Sequence, residues 1–243
     1  MGSSLLPSRG AKLTLPVISR HLSPNFGHRI GCDRPDLIVL HYTAMDCPKA
    51  AIARLCDPDH QVSVHYIVDK FGDITQLVGE AYRAWHAGVG KWRSMDDVNS
   101  GSIGIELCND GTQPFEEGQM LALKALLADI MNRWDIPAKN VIGHSDMAPG
   151  RKQDPGRFFD WCILANSGLA VFRGEQHNKK VPFFDAAQHF GYFLSNPDDG
   201  DCHDAVLAAF RSRFRPEVFG PLNEDDTQIM SDLVQTYFSS QEA

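Results

Sequence analysis

The sequence predicts an α/β fold, a mixed central β-sheet flanked by helices, with a small C-terminal three-helix domain. Three observations carry this. Short runs rich in Val, Ile and Leu alternate with helix-length amphipathic segments as far as Trp161. The first of these runs is near-continuous, the pattern of a strand buried on both faces beneath helices. Beyond Trp161 the strand-like runs stop and three segments with helical spacing follow. A chain of 243 residues accommodates a main domain over residues 1–176 and an appendage over 177–243.

Residues 1–34 are irregular, with Pro7, Pro16 and Pro24 interrupting any long element, and are expected to lie across the surface. Residues 37–43 (LIVLHYT) form a central strand with His41 near its end, on the side of Leu37, Val39 and Thr43. A short helix over 48–55 (PKAAIARL) precedes a strand over 62–68 (VSVHYIV), and Phe71-Gly72-Asp73 turns into another over 74–78. His65, inside a strand, is expected to serve in structural hydrogen bonding. Residues 83–88 (RAWHAG) have neither helical nor strand period. There Trp85 and His86 either line a cleft that grips a sugar or peptide, or close one edge of the core. Residues 102–107 (SIGIEL) place Ile103, Ile105 and Leu107 on one strand face and Gly104 with Glu106 on the other, where the glycine lets a neighbour approach closely. Residues 115–134 are the clearest amphipathic helix, with Met120, Leu123, Leu126 or Leu127, Ile130 and Trp134 at helical spacing. Ile136-Pro137 ends it, and Val141-Ile142 opens one more strand.

Composition excludes several classes of function. A net charge of −8 without a basic cluster argues against a nucleic-acid partner. No apolar run reaches 18 residues, so no membrane span is expected. The six cysteines (Cys32, Cys47, Cys56, Cys108, Cys162 and Cys202) show no CxxC pairing, which argues against a thiolate zinc cluster and fits a reducing compartment. The N-terminal stretch also lacks an apolar signal core with a small-residue cleavage site. The expected location is therefore cytoplasmic, or periplasmic if an export signal has been removed.

The stretch around which the chain is organised is 141–161, VIGHSDMAPGRKQDPGRFFDW. Its short strand ends at His144, and Pro149-Gly150 and Pro155-Gly156 then bend a polar loop carrying Lys152 and Asp154. His41 and His144 each end an apolar strand, and Asp154 follows in the loop. Two imidazoles and one carboxylate leave a fourth position for water, the composition of a catalytic rather than a structural zinc site. Zinc lowers the pKa of bound water from about 16 to about 7. Glu106 is placed to act as general base, and Lys152 to stabilise an oxyanion.

The segments IVLHYTA, VSVHYIVDKFGDITQLV, RAWHAGV, NSGSIGIELCN and GHSDMAPGRKQDPG resemble, in order over residues 35–161, the motifs of the type 2 zinc-dependent N-acetylmuramoyl-L-alanine amidases. This family is related to the peptidoglycan recognition proteins. The HSDxAPGRKxDPG block is similar to that of the AmpD/AmiD branch. Phage and animal relatives carry a tyrosine before the histidine of the second strand and a cysteine as third ligand, where this chain has Val64 and Asp154. The resemblance implies one zinc ion held by His41, His144 and Asp154, Glu106 as catalytic acid/base, and Lys152 stabilising the transition state. It places Trp85, His86 and Asn99 beside the family's substrate groove. The implied reaction is hydrolysis of the amide between the lactyl group of N-acetylmuramic acid and L-alanine in peptidoglycan fragments. The substrates to weigh are 1,6-anhydro-muropeptides of wall recycling and polymeric wall. The alternative is a non-catalytic peptidoglycan recognition module, but such relatives typically lack a ligand or the catalytic pair, and this chain keeps all five groups.

Helical spacing recurs over 183–194, 203–214 and 225–238, with Val206, Phe210 and Phe214 at intervals of four, and Ile229, Leu233 and Tyr237 likewise. With its FRSRFRP motif this tail resembles the helical peptidoglycan-binding-like domain that accompanies some AmpD/AmiD-type amidases. The other reading is a packing appendage without a ligand.

Overall fold

The protein is seen in a computed structural model that describes residues 18–45, 47–196 and 199–238. The surface course expected for residues 1–17, and residues 197–198 between the first two C-terminal helices, lie outside the described residues. The strands are β1 (Ile18–Arg20), β2 (Phe26–His28), β3 (Leu37–Tyr42), β4 (Tyr66–Val68), β5 (Ile74–Gln76), β6 (Tyr82–Ala84), β7 (Ser102–Leu107) and β8 (Val141–Gly143). Six of them form one sheet in the order β1-β5-β4-β7-β3-β8, while β2 and β6 pair as a separate ribbon. Every neighbouring pair in the large sheet is parallel except β4 with β5. The mixed α/β class read from the sequence is the observed one.

The helices are α1 (Pro48–Cys56), α2 (Val98–Gly101), α3 (Glu117–Trp134), α4 (His144–Met147), α5 (Trp161–Ala165), α6 (Phe183–Phe190), α7 (Gly200–Phe214) and α8 (Glu224–Tyr237). The period of two along β3 and β7 decides what each covers. Ile38, Leu40, Ile103 and Ile105 face α3, where Leu123, Leu126, Leu127 and Ile130 are fully buried against them. Each such side chain contributes about 1.5–3 kcal/mol of burial. On the opposite face, Leu37, Val39 and Ile142 share one apolar cluster with Phe183, Phe190, Phe210, Phe214 and Leu233 of the three C-terminal helices. Beside that cluster, Ala51 and Leu55 of α1 pack on Val64, Ile67 and Leu77. Between α1 and the C-terminal helices the carboxyl ends of β3, β7 and β8 are left to build a site.

The observed elements depart from the sequence reading in several places, among them the strand β6 and the short helices α2 and α4. The expected irregular stretch 1–34 contains two strands, β1 on the sheet edge beside β5 and β2 beside β6, each three residues long and too short to leave a period. The strand expected over 62–68 begins only at Tyr66, because Ser63 pairs with Trp85 and the His65 ring, not a backbone oxygen, accepts from the Gly104 N–H. The expected 183–194 helix stops at Phe190, since Gly191 takes φ of 146° with its backbone against the Trp92 ring, where a Cβ would lie 2.6 Å away. The connector after Trp161 begins with the short helix α5, capped by the Asp160 carboxylate.

Candidate metal centre

His41 lies near the carboxyl end of β3, and its register partner on the adjacent parallel strand β7 is Glu106. Paired residues of parallel neighbours project to the same face, so both reach toward one point. His144 follows directly on β8, the other neighbour of β3, as the first residue of α4. The loop after α4 turns back so that Asp154 O accepts from the Ser145 N–H at 2.9 Å, which returns the Asp154 side chain to the histidines. Ligand sites of open α/β sheets form at this end of the strands because the loops that follow diverge there.

His41 Nδ1, His144 Nδ1 and Asp154 Oδ2 form a triangle with sides of 2.9, 2.9 and 3.0 Å, and all three residues are buried. The partners of the other ring nitrogens show which atoms carry protons. His144 Nε2–H donates to Ala87 O at 2.8 Å, so its Nδ1 is a lone-pair acceptor. His41 Nε2–H donates to His86 Nδ1 at 3.0 Å, His86 Nε2–H donates to Ser102 Oγ at 3.2 Å, and Ser102 Oγ–H donates to Val98 O. His41 Nδ1 is therefore an acceptor as well. Burial, with His144 close by, holds the His41 imidazolium pKa down to about 4, so the ring is neutral at neutral pH. The Asp154 carboxyl stays on the low side of its ordinary range in spite of burial and is ionised at neutral pH. Two lone pairs and a carboxylate oxygen thus face one another with no donor between them. That arrangement is repulsive unless a cation occupies the centre. Three ligand atoms around a tetrahedral ion stand about 3.3 Å apart for bonds near 2.0 Å, close to the observed spacing. The donor set fits a divalent metal, and the hydrogen bonds to Ala87 O and His86 fix the ring orientations as metal-ligating histidines require.

A cavity of about 480 Å³ opens over these ligands, lined among others by Glu106, Trp85, Arg151, Lys152 and Gln153. Glu106 Oε2 is shielded from solvent and has no hydrogen-bond partner among the described residues. Burial, followed by the Asp154 charge, raises its pKa to about 8, while Lys152 pulls it down. A cation held by the three ligands pulls in the same direction as Lys152. Lys152 itself is exposed at the rim.

All five residues read as ligands or catalytic groups thus line one cavity. Trp85 is half-buried and lines the cleft. One expectation for the groove changes. Asn99 is buried and does not line the cavity; its Oδ1 accepts from the His86 and Ala87 N–H groups at 2.9 and 2.8 Å and so holds the loop. His86 borders the cavity, but both its ring nitrogens are engaged in the hydrogen-bonded chain that orients His41. His65 has the structural role expected, accepting from Gly104 N–H and donating through Nε2 to Tyr82 O. Unforeseen were Arg151, which donates to Ala87 O at 2.6 Å, and the Ala87 carbonyl itself. A backbone oxygen leaves no mark in a sequence.

Residues 31–157 match the N-acetylmuramoyl-L-alanine amidase family. The chain belongs to this family. Its likeness extends further than that match: it is 34% identical over 237 residues to the N-acetylmuramoyl-L-alanine amidase AmiD of Escherichia coli, covering 84% of each chain. It is 41% identical over 102 residues to the 1,6-anhydro-N-acetylmuramyl-L-alanine amidase AmpD of Haemophilus influenzae, covering 42% of this chain and 55% of that one. Among solved structures, the E. coli AmiD complex with the substrate anhydro-N-acetylmuramic acid-L-Ala-D-γ-Glu-L-Lys superposes with a TM-score of 0.76 at 32% identity, over 97% of this chain and 96% of that one. AmpDH3 from Pseudomonas aeruginosa in complex with anhydromuramic pentapeptide gives a TM-score of 0.76 at 31% identity, over 96% and 98%. No helix among the described residues is long and apolar enough to cross a membrane.

Proposed function

We propose that the chain is a zinc-dependent N-acetylmuramoyl-L-alanine amidase that cleaves the amide between the lactyl group of N-acetylmuramic acid and L-alanine, with anhydro-muropeptides among its substrates. The observation that carries this is the convergence of three proton-free acceptors beside an unpartnered carboxyl in one cavity. Family membership and the substrates named for the AmiD and AmpDH3 complexes support it. His41, His144 and Asp154 hold the ion. When bound there, zinc polarises the scissile carbonyl and makes hydroxide available near neutrality.

The remaining steps belong to this chain's own residues. Glu106 takes the proton of the attacking water on Oε2. Lys152 and a cation held by the three ligands favour its ionised form beforehand, while burial and the Asp154 charge favour the protonated form once the proton has been taken. Glu106 then delivers the proton to the nitrogen of the departing L-alanine. Lys152, facing the same cavity, holds the oxyanion through Nζ. His86 and Ala87 O keep the two imidazoles turned, so no reorientation is needed as charge develops.

Incubation of the protein with anhydro-muropeptides, with and without a chelator, tests the reading by mass spectrometry. Release of the free stem peptide, lost with chelator and restored by zinc, is expected. Binding without cleavage, or cleavage between amino acids of the peptide, would overturn it. The same assay on intact sacculus separates a recycling substrate from polymeric wall.

A further inference from the structure

The FRSRFRP motif of α7 holds three arginines with different destinations. Arg211, on one face of the last turn of α7, and Arg215, which caps its end, both bind Asp226 of α8. Arg213 lies on the opposite face and points into the main sheet. It is 3% exposed and donates through Nη1 to Asp146 Oδ2 at 2.8 Å. Through Nη2 it also donates to Val141 O on β8 at 3.2 Å and to Val171 O at 3.0 Å, with its guanidinium 4.1 Å from the centre of the Trp161 ring.

Asp146 is the hub. It sits in the one-turn helix α4 that begins with His144, and is 1% exposed. Its Oδ2 also accepts from the Gly143 N–H at 2.8 Å, closing the turn on which His144 is mounted, and its Oδ1 accepts from Tyr192 Oη at 2.6 Å. A four-residue helix cannot hold itself, since one turn does not offset the cost of helix nucleation. Its geometry is imposed from outside, and here the outside is the C-terminal region: Arg213 on α7 and Tyr192 just after α6.

We propose that Arg213 and Tyr192 are positioning residues, by which the C-terminal helices hold the His144 turn in its metal-ligating geometry through Asp146. None of the three lines the cavity over the ligands, so any effect on the site travels through the turn. The inference rests on the reading that His144 binds a metal. It makes the C-terminal segment part of the metal centre whatever wall-binding role it has.

The experiment compares two arginines on one helix. Arg213→Met and Arg211→Met each strip a buried arginine from a buried aspartate, and both are expected to lower the unfolding midpoint of the metal-free protein. Zinc affinity, read by competition with a chromophoric chelator on folded protein, separates them. Arg213→Met is expected to weaken it 10- to 100-fold, the range for groups that orient metal ligands, and Arg211→Met to leave it within a factor of two. Tyr192→Phe, which deletes one hydroxyl, covers the case in which Arg213→Met fails to fold, and is expected to weaken zinc three- to tenfold. Cobalt(II) substitution adds a second readout, a shifted visible spectrum in Arg213→Met and Tyr192→Phe but not in Arg211→Met. Unchanged affinity and spectrum in both Arg213→Met and Tyr192→Phe, or equal losses in Arg211→Met, would overturn the proposal. If the wild-type protein binds no zinc, or binds it undiminished in His144→Ala, the metal reading itself fails instead.

Discussion

A methyl group added at Gly104 tests whether the imidazole chain behind His41 governs the metal centre. Gly104 faces the site side of β7 with the His86 ring lying directly on it. A Cβ there would stand 2.5 Å from His86 Cγ and 2.7 Å from its Cδ2 and Nδ1. No contact that short is tolerated, and the strand carrying Gly104 is locked between β3 and β4, so the ring is what moves. Its displacement breaks the 3.0 Å bond to His41 Nε2 and the 3.2 Å bond to Ser102 Oγ. Two consequences follow. Overpacking costs about 1–3 kcal/mol of stability. Loss of the group that orients a ligating histidine weakens zinc by about 10- to 100-fold. Urea unfolding of the metal-free Gly104→Ala protein measures the first and chelator competition the second. The decisive arm is Gly104→Ala in a His86→Ala background, where the ring is absent and the added methyl has room. There the stability cost is expected to fall below about 0.5 kcal/mol, a coupling typical of residues in direct contact. An undiminished cost in that background, or unchanged zinc affinity in the single variant, would refute the reasoning.

Other predictions concern the ligands and the buried ionisable groups. Glu106→Gln keeps the size of the side chain and the three ligands, so zinc content at one per chain is expected to persist while kcat falls by about 10²–10⁴; near-normal turnover would remove Glu106 from its role. Asp154→Ala removes the only anionic ligand and is expected to abolish stoichiometric zinc on metal analysis, with unchanged content contradicting the ligand assignment. His65 is buried and neutral, its pKa lowered from 6.5 to about 4 chiefly by burial. Between those values the unfolded chain binds the extra proton, so stability falls as pH drops through the window, by about 3 kcal/mol for this group at 1.36 kcal/mol per pH unit. Metal-free His65→Asn is expected to show a correspondingly shallower loss between pH 7 and pH 4.5, and an identical pH dependence would show that His65 takes no part.

The order of the longer strands and helices over residues 37–161 was legible in the sequence because it rests on local pattern, while the three residues that converge in the cavity were singled out by residue type and by likeness to the amidase family. The period along β3 and along β7 puts His41 and Glu106 each on a definite face of its own strand, which the parallel pairing makes the same face, and Pro149-Gly150 and Pro155-Gly156 mark the loop that turns Asp154 back. The space left by Gly104 was also readable, though not its occupant, since the His86 ring arrives from a loop without period. What tertiary structure alone decided lies in contacts between segments far apart in the chain. The Ala87 carbonyl sets the proton on His144, the Asn99 side chain serves a loop rather than a groove, and Arg213 reaches 67 residues back to the turn that carries a ligand. Periodicity reports which face of an element is buried, not which partner arrives there. A hydrogen-bonded partner is specified by distance and angle across the folded core, which a one-dimensional pattern does not contain.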